Sequence, residues 1–488
     1  MASNFLTFDF GKSSIRTIVG VYDDGKLSMY EINRVPTIPL ELDTHTYLNV
    51  GQYMQIIMSG MVNAAKEFGP ITSLGIGFWG GVFALLDSEG KALRYPLHYS
   101  DIVFQSNRDI ISRYISDDKL YLDFESGEMT GSISMLLAIR ESMPEEFSKV
   151  ETLLMMPDYL AYLLTGTTDS EETIISSGGL SNMYKKWNKE LLNYLNLPLG
   201  IFKDSIVAPG TKYPLLPIFN TLDPQLANTG YVRIASHDTA SAVSTLRLDK
   251  DTAFISSGST SIIGINSGCS VISKDTYEGE FLNEVSADGQ IRLNRNITGM
   301  TTQNNCMNYW KKSGLSVSFD ETDKEIMKIT DARFMVDPND KSLSSGDNTP
   351  SAIAEYCRKT NQPIPVTPAE VLSAINTGLA MEYRNTLDTL QKITGRIISR
   401  ICIVGGGLNN KPLCQFTANA TGCTVITGNK EATSVGNLLM QAKAYGLFTE
   451  YDDIAKINDD SFSENYTYHP ENENIWNEAY EKYLNYTR

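Results

Sequence analysis

The chain has 488 residues, a length that indicates roughly two or three domains rather than one compact core. Hydrophobic residues make up 42% and charged residues 20% of it, a globular balance that argues against extensive disorder. The formal net charge of −17 would repel a phosphate backbone, so we expect no nucleic-acid partner. A single nucleotide held by backbone amides and a metal ion is compatible with this charge.

Cysteine usage and hydropathy indicate the compartment. The six cysteines form no C-x-x-C pair and only four histidines accompany them, so a zinc site has little support. Few cysteines in a long chain fit a reducing environment. The N-terminus does not resemble a secretory signal, and no run of about 18 apolar residues indicates a membrane span. We expect a soluble, cytoplasmic protein with no membrane partner.

In chain order, the first predicted elements form a strand meander. The segments Phe5–Phe10, Ile15–Tyr22 and Leu27–Ile32 have the pattern of strands, and Asp23-Asp24-Gly25 is typical of a hairpin turn.

Helical and strand patterns then alternate through the first half. Tyr47–Phe68 is predicted as a helix, Leu74–Leu86 as a strand, and Glu145–Leu164 and Lys189–Leu195 as helices. A mixture of this kind is what α/β layers require.

A short repeat indicates two similar lobes. Gly11-Lys12-Ser13-Ser14-Ile15 and Gly258-Ser259-Thr260-Ser261-Ile262 each lie between two predicted strands. Glycine and serine turns are common, so chance is the alternative explanation. If the repeat is real, the boundary between the lobes lies near residues 245–250.

The second half contains the clearest predicted helix. Thr367 can cap it, with Glu370 completing a capping box, and Gly395 can end it. The segment Glu471–Tyr486 has the pattern of an amphipathic closing helix.

Two carboxylates lie at predicted strand ends. Asp9 precedes the Gly11–Ser14 turn, where it could bind hydrated Mg²⁺ while the turn amides face phosphate oxygens. The alternative is a solvated Asp in a hairpin. Asp238 follows the predicted strand Tyr231–Ala235 and is well placed to act as a base, but it could equally cap a helix. His237 beside it could be a buried core histidine.

Two glycine-rich segments follow later. Gly405-Gly406-Gly407 comes after the predicted strand Ile401–Val404 and could leave room for a flat ligand against the backbone. The segment Gly428–Asn437 opens a predicted helix. Neither a P-loop nor a G-x-S-x-G elbow is present.

In this order and spacing, these segments resemble the FGGY carbohydrate kinases of the actin-like ATPase superfamily, and among them most closely the rhamnulokinases. The resemblance covers nearly the whole chain, and Ser236–Val243 is its most specific part. The matching segments are Phe8-Asp9-Phe10-Gly11, Trp79-Gly80, Leu85-Leu86-Asp87, Met156-Pro157-Asp158-Tyr159, Leu163-Leu164-Thr165-Gly166, Ala235–Val243, Ser256-Ser257-Gly258, Asn296-Ile297, Gln362-Pro363-Ile364-Pro365, Val404-Gly405-Gly406-Gly407 and Glu431-Ala432-Thr433.

The resemblance implies an α/β fold with two actin-like (ribonuclease H-like) lobes around a central cleft. Residues 1–245 would form the sugar-binding lobe, 246–450 the nucleotide-binding lobe, and 451–488 a C-terminal tail with the closing helix. ATP and Mg²⁺ would be required, and the terminal phosphoryl group would move to a small ketose. The partners would be the sugar and ATP, with the chain a monomer or a homodimer.

The resemblance also assigns residue roles. Asp238 matches the general base. The residues that match sugar contacts are Gly80, His237, Asp238, Thr239 and Asn296. The residues that match nucleotide and phosphate contacts are Gly11, Lys12, Ser13, Ser14, Arg16, Ser259, Asn304, Gly405, Gly406 and Gly407. Gln303 is an alternative to Asn304, and Asn410 is a weaker nucleotide candidate. Asp9 is the candidate ligand of Mg²⁺.

Several residues depart from the rhamnulokinase pattern. Gly77 and Val82 stand where carboxylates are usual, Phe78 replaces a Thr, Ser100 an Arg, and Ser259-Thr260 a Thr-Trp pair. All but the last are expected at the sugar pocket. Phe78 would offer an apolar surface to a deoxy-sugar, and Ser100 or Thr298 could supply missing contacts. L-rhamnulose is the first expectation, another ketose such as L-fuculose the alternative, and a non-catalytic sugar-binding relative the third.

Overall fold

The computed structural model describes residues 2–107, 109–126, 131–329, 331–343, 348–462 and 465–487. Its strands are β1 Ser3–Phe10, β2 Ser14–Asp23, β3 Lys26–Pro36, β4 Leu40–Leu42, β5 His45–Tyr47, β6 Ile71–Phe78, β7 Phe83–Leu86, β8 Thr152–Met155, β9 Ser170–Glu171, β10 Ile206–Val207, β11 Lys212–Pro214, β12 Gly230–Val232, β13 Thr252–Ser257, β14 Thr260–Asn266, β15 Leu282–Val285, β16 Ile291–Thr298, β17 Arg400–Val404, β18 Thr424–Thr427 and β19 Thr467–Tyr468.

The α-helices surround these strands. They are α1 Val50–Phe68, α2 Ile102–Gln105, α3 Asp117–Phe124, α4 Ser132–Ser142, α5 Pro144–Phe147, α6 Met156–Thr165, α7 Glu172–Ser177, α8 Lys189–Tyr194, α9 Pro217–Asn220, α10 Asp238–Val243, α11 Lys274–Glu278, α12 Thr301–Lys312, α13 Phe319–Ile326, α14 Thr349–Lys359, α15 Pro368–Thr394, α16 Lys411–Thr421, α17 Ala432–Ala444, α18 Asp453–Ser461 and α19 Glu473–Tyr486. None of the helices within the described ranges has both the length and the hydropathy needed to cross a membrane.

Two sheets repeat one topology. The six-stranded sheet has the order β11-β12-β6-β1-β2-β3, and the seven-stranded sheet has the order β15-β16-β14-β13-β17-β18-β19. In each, a central antiparallel hairpin (β1–β2, β13–β14) pairs with a further antiparallel strand on one side and with two parallel strands on the other. The Gly11 turn joins β1 to β2, and the Gly258 turn joins β13 to β14. The repeat predicted from the sequence is therefore confirmed.

Two helices pack across the junction between the sheets. Helix α17 follows β18 of the second sheet, yet it packs on β1 and β6 of the first. The Gln441 amide donates to the Leu6 carbonyl at 3.0 Å and accepts from the Ser73 hydroxyl at 2.8 Å. Helix α10 follows β12 of the first sheet and packs on both α17 and β13. The two crossing helices therefore connect the lobes.

The C-terminal segment contacts both lobes. Helix α18 lies against β3, where the Ser461 hydroxyl accepts from the Leu27 amide at 2.9 Å. Strand β19 extends the second sheet beside β18, and α19 packs on α15 and α16 with Trp476 buried. The residues that follow the second lobe thus cover one edge of each sheet.

The local predictions differ in outcome. The N-terminal meander and the capped helix α15 are confirmed, with reciprocal hydrogen bonds between Thr367 and Glu370 and a positive φ of 66° at Gly395. The single strand predicted for Leu74–Leu86 is wrong, because Gly81 adopts a φ of 91° and separates β6 from β7. The continuous helix predicted for Glu145–Leu164 is also wrong. Its middle is β8, a fully buried apolar run that pairs with β7 and that periodicity cannot distinguish from a helix.

The crossing of α10 and α17 predicts a stability effect at Gly436. A Cβ atom there would overlap the Ser241 carbonyl oxygen of α10. We expect Gly436→Ala to lower the free energy of unfolding by about 1–3 kcal/mol despite its gain in helix propensity. Chemical denaturation measures the change. Gly51→Ala in α1 is the control, because its Cβ would meet nothing closer than 3.8 Å; equal effects of the two substitutions would contradict close packing at the crossing.

Candidate active site

The first cluster of site residues surrounds Asp9 near the end of β1. Asp9 is 6% exposed and is ion-paired with Arg16, its register partner in β2. The other terminal nitrogen of Arg16 contacts Glu431 at the start of α17. Burial raises the pKa of Asp9, while the Arg16 guanidinium acts in the opposite direction. A residue of the second lobe therefore completes the surroundings of Asp9. Glu431 belongs to the Gly428–Asn437 segment noted in the sequence, but no role was predicted for it.

The turn after β1 presents its side chains outward. The Gly11 amide donates to the Ser14 carbonyl at 3.0 Å, and the Gly11 carbonyl accepts from the Thr37 hydroxyl at 2.7 Å. Lys12 and Ser13 are exposed, and the Lys12 ammonium lies 5.4 Å from the centre of the Tyr99 ring. The turn is thus held by its own backbone and by Thr37, which leaves the Lys12 and Ser13 side chains available to a ligand.

Asp238 is the first residue of α10, and its side chain is 36% exposed. One carboxylate oxygen accepts from the Thr239 amide at 2.6 Å and lies 3.5 Å from His237 Nε2. The N-cap position belongs to His237, whose side chain makes no capping hydrogen bond. Asp238 therefore does not occupy the N-cap position that the sequence left open for it, and its carboxylate is accessible to a ligand.

His237 and Gly80 lie side by side. His237 is 6% exposed, and its Nδ1 has no hydrogen-bond partner among the described residues. Burial lowers the pKa of His237, although the Glu284 and Asp238 carboxylates act in the opposite direction. A Cβ atom on Gly80 would lie 3.6 Å from His237 Nε2 and 2.5 Å from the Ser177 hydroxyl. Only glycine leaves this corner open.

A buried carboxylate lies behind His237. Glu171 is fully buried and accepts hydrogen bonds from the amides of Thr173, Ile174 and Ser236 and from the Thr173 hydroxyl. Burial raises the pKa of Glu171 to about 7, although these hydrogen bonds act in the opposite direction. Sequence reasoning missed both Glu171 and Thr173, because no local motif indicates a contact across 65 residues.

Strand β16 turns one face toward the first lobe. Arg292 donates to Glu284 of β15 at 2.7 Å, and Glu284 interacts electrostatically with His237. Alternate strand residues share a face, so Asn296 lies on the same face as Arg292. Arg295 points the other way, to Glu382 of α15 at 2.5 Å. Asn296 is exposed on the face that it shares with Arg292.

The glycine loop after β17 packs against β13. A Cβ atom on Gly405, where φ is 86°, would lie 2.8 Å from the Ser257 carbonyl oxygen, and one on Gly407 would overlap the Ser257 side chain. Gly406 alone faces open space. Contact with β13 therefore requires glycine at positions 405 and 407, whereas Gly406 faces open space; that this loop leaves room for a ligand stays a prediction.

Gln303 and Asn304 differ in their surroundings. The Gln303 side chain is buried and accepts from the Asn410 amide at 3.0 Å, whereas Asn304 is exposed at the first turn of α12. Ser259 is also exposed, and its carbonyl accepts from the Gly299 amide at 3.0 Å and the Thr301 hydroxyl at 2.9 Å. Asn304 and Ser259 therefore present free surface near the same turn, while Gln303 supports the glycine loop.

Three departures predicted for the pocket wall differ in their surroundings. Phe78 is fully buried, with its ring 5.4 Å from that of Phe10 and 4.2 Å from that of Trp79. Val82 is only 2% exposed. Gly77 is the register partner of Asp9, and its missing side chain would face Thr433 of α17. The expectation that Phe78 presents an apolar surface to the sugar is wrong, because the ring belongs to the core.

Comparison with known proteins supplies the family context. The N-terminal domain model of the FGGY family of carbohydrate kinases matches residues 4–212, and the C-terminal domain model matches residues 253–445. The chain is 33% identical to a rhamnulokinase of Bacteroides thetaiotaomicron, with 100% of both proteins covered. It is 30% identical to a rhamnulokinase of Oceanobacillus iheyensis, with 95% of this chain and 97% of the relative covered.

Solved structures show the same fold. A xylulose kinase from Lactobacillus acidophilus superposes with a TM-score of 0.79 at 14% identity, covering 99% of this chain and 97% of the other. Plasmodium falciparum glycerol kinase with ADP superposes with a TM-score of 0.78 at 16% identity, covering 99% and 98%. These matches confirm an α/β fold with two actin-like lobes around a cleft.

The packing of the glycine loop predicts different effects at adjacent positions. We expect Gly407→Ala to lower the free energy of unfolding by about 1–3 kcal/mol, because the new methyl group overlaps Ser257. Gly406→Ala should change it by less than about 0.5 kcal/mol, because that position faces open space. Chemical denaturation of both variants measures the contrast. Equal losses would contradict the separate roles of the two glycines.

Proposed function

This chain belongs to the FGGY family of carbohydrate kinases and is an ATP-dependent sugar kinase, and from that premise we propose that its acceptor is L-rhamnulose, which it converts to L-rhamnulose 1-phosphate. The observation that carries the choice of sugar is the full-length similarity to proteins named rhamnulokinase at 30–33% identity. A kinase for another ketose, L-fuculose first, is the alternative, because Ser100 departs from the rhamnulokinase pattern beside Tyr99 and Lys12.

Asp238 is the proposed general base. Its carboxylate is accessible and lies 3.5 Å from His237 Nε2, the ring nitrogen that faces the same corner. Gly80 leaves space beside that ring, and Thr239 and Asn296 complete the proposed sugar contacts. The oxygen of the sugar hydroxyl attacks the terminal phosphorus of ATP, and Asp238 takes the proton of that hydroxyl. ADP departs as the bond to the terminal phosphorus breaks. Phosphoryl transfer depends on positioning and on neutralised charge, which these groups provide together.

The proposed phosphate contacts come from both central hairpins. The first turn offers Gly11, Lys12, Ser13 and Ser14, with Arg16 behind it, and the second offers Ser259. Asp9 is the proposed holder of Mg²⁺, and the fit is chemical: its carboxylate is a hard oxygen donor, and burial raises its pKa, so a nearby cation would favour its ionised form. Bound Mg²⁺ would neutralise charge on the ATP phosphates.

The adenosine is assigned to the second lobe. Gly406 provides an open backbone surface, Gly405 and Gly407 shape the loop around it, and Asn304 is exposed near the Ser259 turn. Gln303 acts there indirectly, through its hydrogen bond to Asn410. In this proposal the base and most of the sugar contacts lie on the first lobe, the adenosine on the second, and both lobes contribute to the phosphates.

The role of Asp238 predicts a selective loss of turnover. We expect Asp238→Asn to lower kcat by roughly 10²-fold or more while ATP binding stays nearly intact, because the amide cannot accept the proton. Steady-state kinetics and nucleotide titration measure the two effects. Asp24→Asn, in the exposed hairpin turn at the opposite end of the sheet, is the matched control. A variant at Asp238 that keeps most of its turnover would refute the base assignment.

The sugar is tested by a comparison of kcat/KM for L-rhamnulose, L-fuculose, L-xylulose and D-xylulose in a coupled ADP-release assay. We expect L-rhamnulose to exceed each of the others by about 10-fold or more, since a mismatched hydroxyl leaves buried polar groups unpaired. A preference for L-fuculose would select the alternative. Equal and poor activity on all four would place the substrate outside this group.

A further inference from the structure

The backbone that leads into Asp238 is held by two side chains from a distant part of the chain. Glu171 ends β9 and Thr173 lies in the first turn of α7. The Glu171 carboxylate accepts from the Ser236 amide at 3.0 Å, and the Thr173 hydroxyl accepts from the His237 amide at 3.2 Å. Two successive amides immediately before Asp238 therefore have their acceptors on one short segment.

The two acceptors form one unit. The Thr173 hydroxyl donates to Glu171 Oε2 at 2.6 Å, so its lone pairs remain free for the His237 amide. Both residues are fully buried, which holds each hydrogen bond away from competing water. On the opposite side, the Ser236 carbonyl accepts from the Phe78 amide of β6 at 2.9 Å. The turn is thus held between β6 and the Glu171–Thr173 pair.

Capping of α7 does not account for this arrangement. A cap needs only an acceptor for the first helical amides, and Glu171 provides it for Thr173 and Ile174. Its carboxylate also reaches Ser236, and no cation lies within ion-pair distance of it in the described part of the chain. A buried carboxylate without a counter-ion is costly, and a surface Ser or Asp would cap the helix at less cost. The contact with Ser236 is the additional role.

We propose that Glu171 and Thr173 are positioning residues that hold the Ser236–His237 backbone, so that the Asp238 carboxylate and the His237 ring meet the acceptor hydroxyl in one fixed geometry. The inference rests on the proposed role of Asp238 as the base. Neither side chain touches the sugar or ATP; both act through the two amides. Displacement of a catalytic group by about 1 Å is enough to reduce turnover strongly.

The decisive variant is Thr173→Val, which keeps the shape of the side chain and removes the acceptor of the His237 amide. We expect kcat to fall between about 10-fold and 100-fold, with the KM for ATP within about threefold of the parent. Hydrogen exchange of a peptide spanning residues 234–240 should become faster, because one of its amides has lost its partner. Thr173→Ser retains the hydroxyl and should restore both kcat and the exchange rate.

Two further variants keep the test independent of stability. Glu171→Gln removes the charge at nearly constant size and should reproduce the loss of kcat. Glu172→Gln changes the adjacent carboxylate, which faces Lys185 at 3.5 Å, and should leave kcat unchanged. Thermal melts establish that each variant is folded.

The outcomes separate the two proposals. If Asp238→Asn abolishes turnover but Thr173→Val has parental kcat and parental exchange at residues 234–240, the positioning role is refuted while the base assignment stands. A similar loss of kcat in Thr173→Ser or Glu172→Gln would also refute it. If Asp238→Asn keeps its turnover, the base assignment itself fails.

Discussion

The close crossing of α10 and α17 is the constraint on which the rest of the molecule depends. Each helix follows the last parallel strand of one sheet and packs toward the other sheet, so neither lobe has a complete set of covering helices by itself. The contact is tight enough that Gly436 has no room for a side chain against the Ser241 carbonyl. Asp238 and Glu431 lie at the beginnings of these two helices. The position of both site residues therefore follows from the same contact.

Charge at the site is arranged in pairs, which reconciles an acidic protein with an anionic ligand. Arg16 contacts Asp9 from the first lobe and Glu431 from the second, and so neutralises part of the repulsion that two carboxylates would exert on a polyphosphate. Lys12 stands on the exposed turn, with its ammonium 5.4 Å from the centre of the Tyr99 ring. The net charge of −17 thus describes the surface as a whole and not the neighbourhood of the Gly11–Ser14 turn.

Sequence reasoning succeeded where the signal is local. The meander, the reciprocal capping of Thr367 and Glu370, and the repeated glycine turns depend on residues a few positions apart, and each is present. It failed where distant segments decide the outcome. Strand β8 is a strand because β7 pairs with it, and Phe78 is a core residue because Phe10 and Trp79 surround it. The support of Asp238 by Glu171 and Thr173 belongs to the same class, since no motif in either segment points to the other.

The exchange of helices also has a consequence for biosynthesis. The last strands of the first sheet end at Val232, whereas α17, which covers one face of β1 and β6, ends at Ala444, roughly 200 residues later. At about 5–20 residues per second, the ribosome needs on the order of 10–40 s to supply that helix. During this interval the apolar face that includes Phe5 and Ile18, which packs on Val435 and Leu438 of α17, has no permanent cover. The nascent N-terminal half therefore exposes this apolar surface until the second half emerges, and the last-synthesised lobe completes the packing of the first.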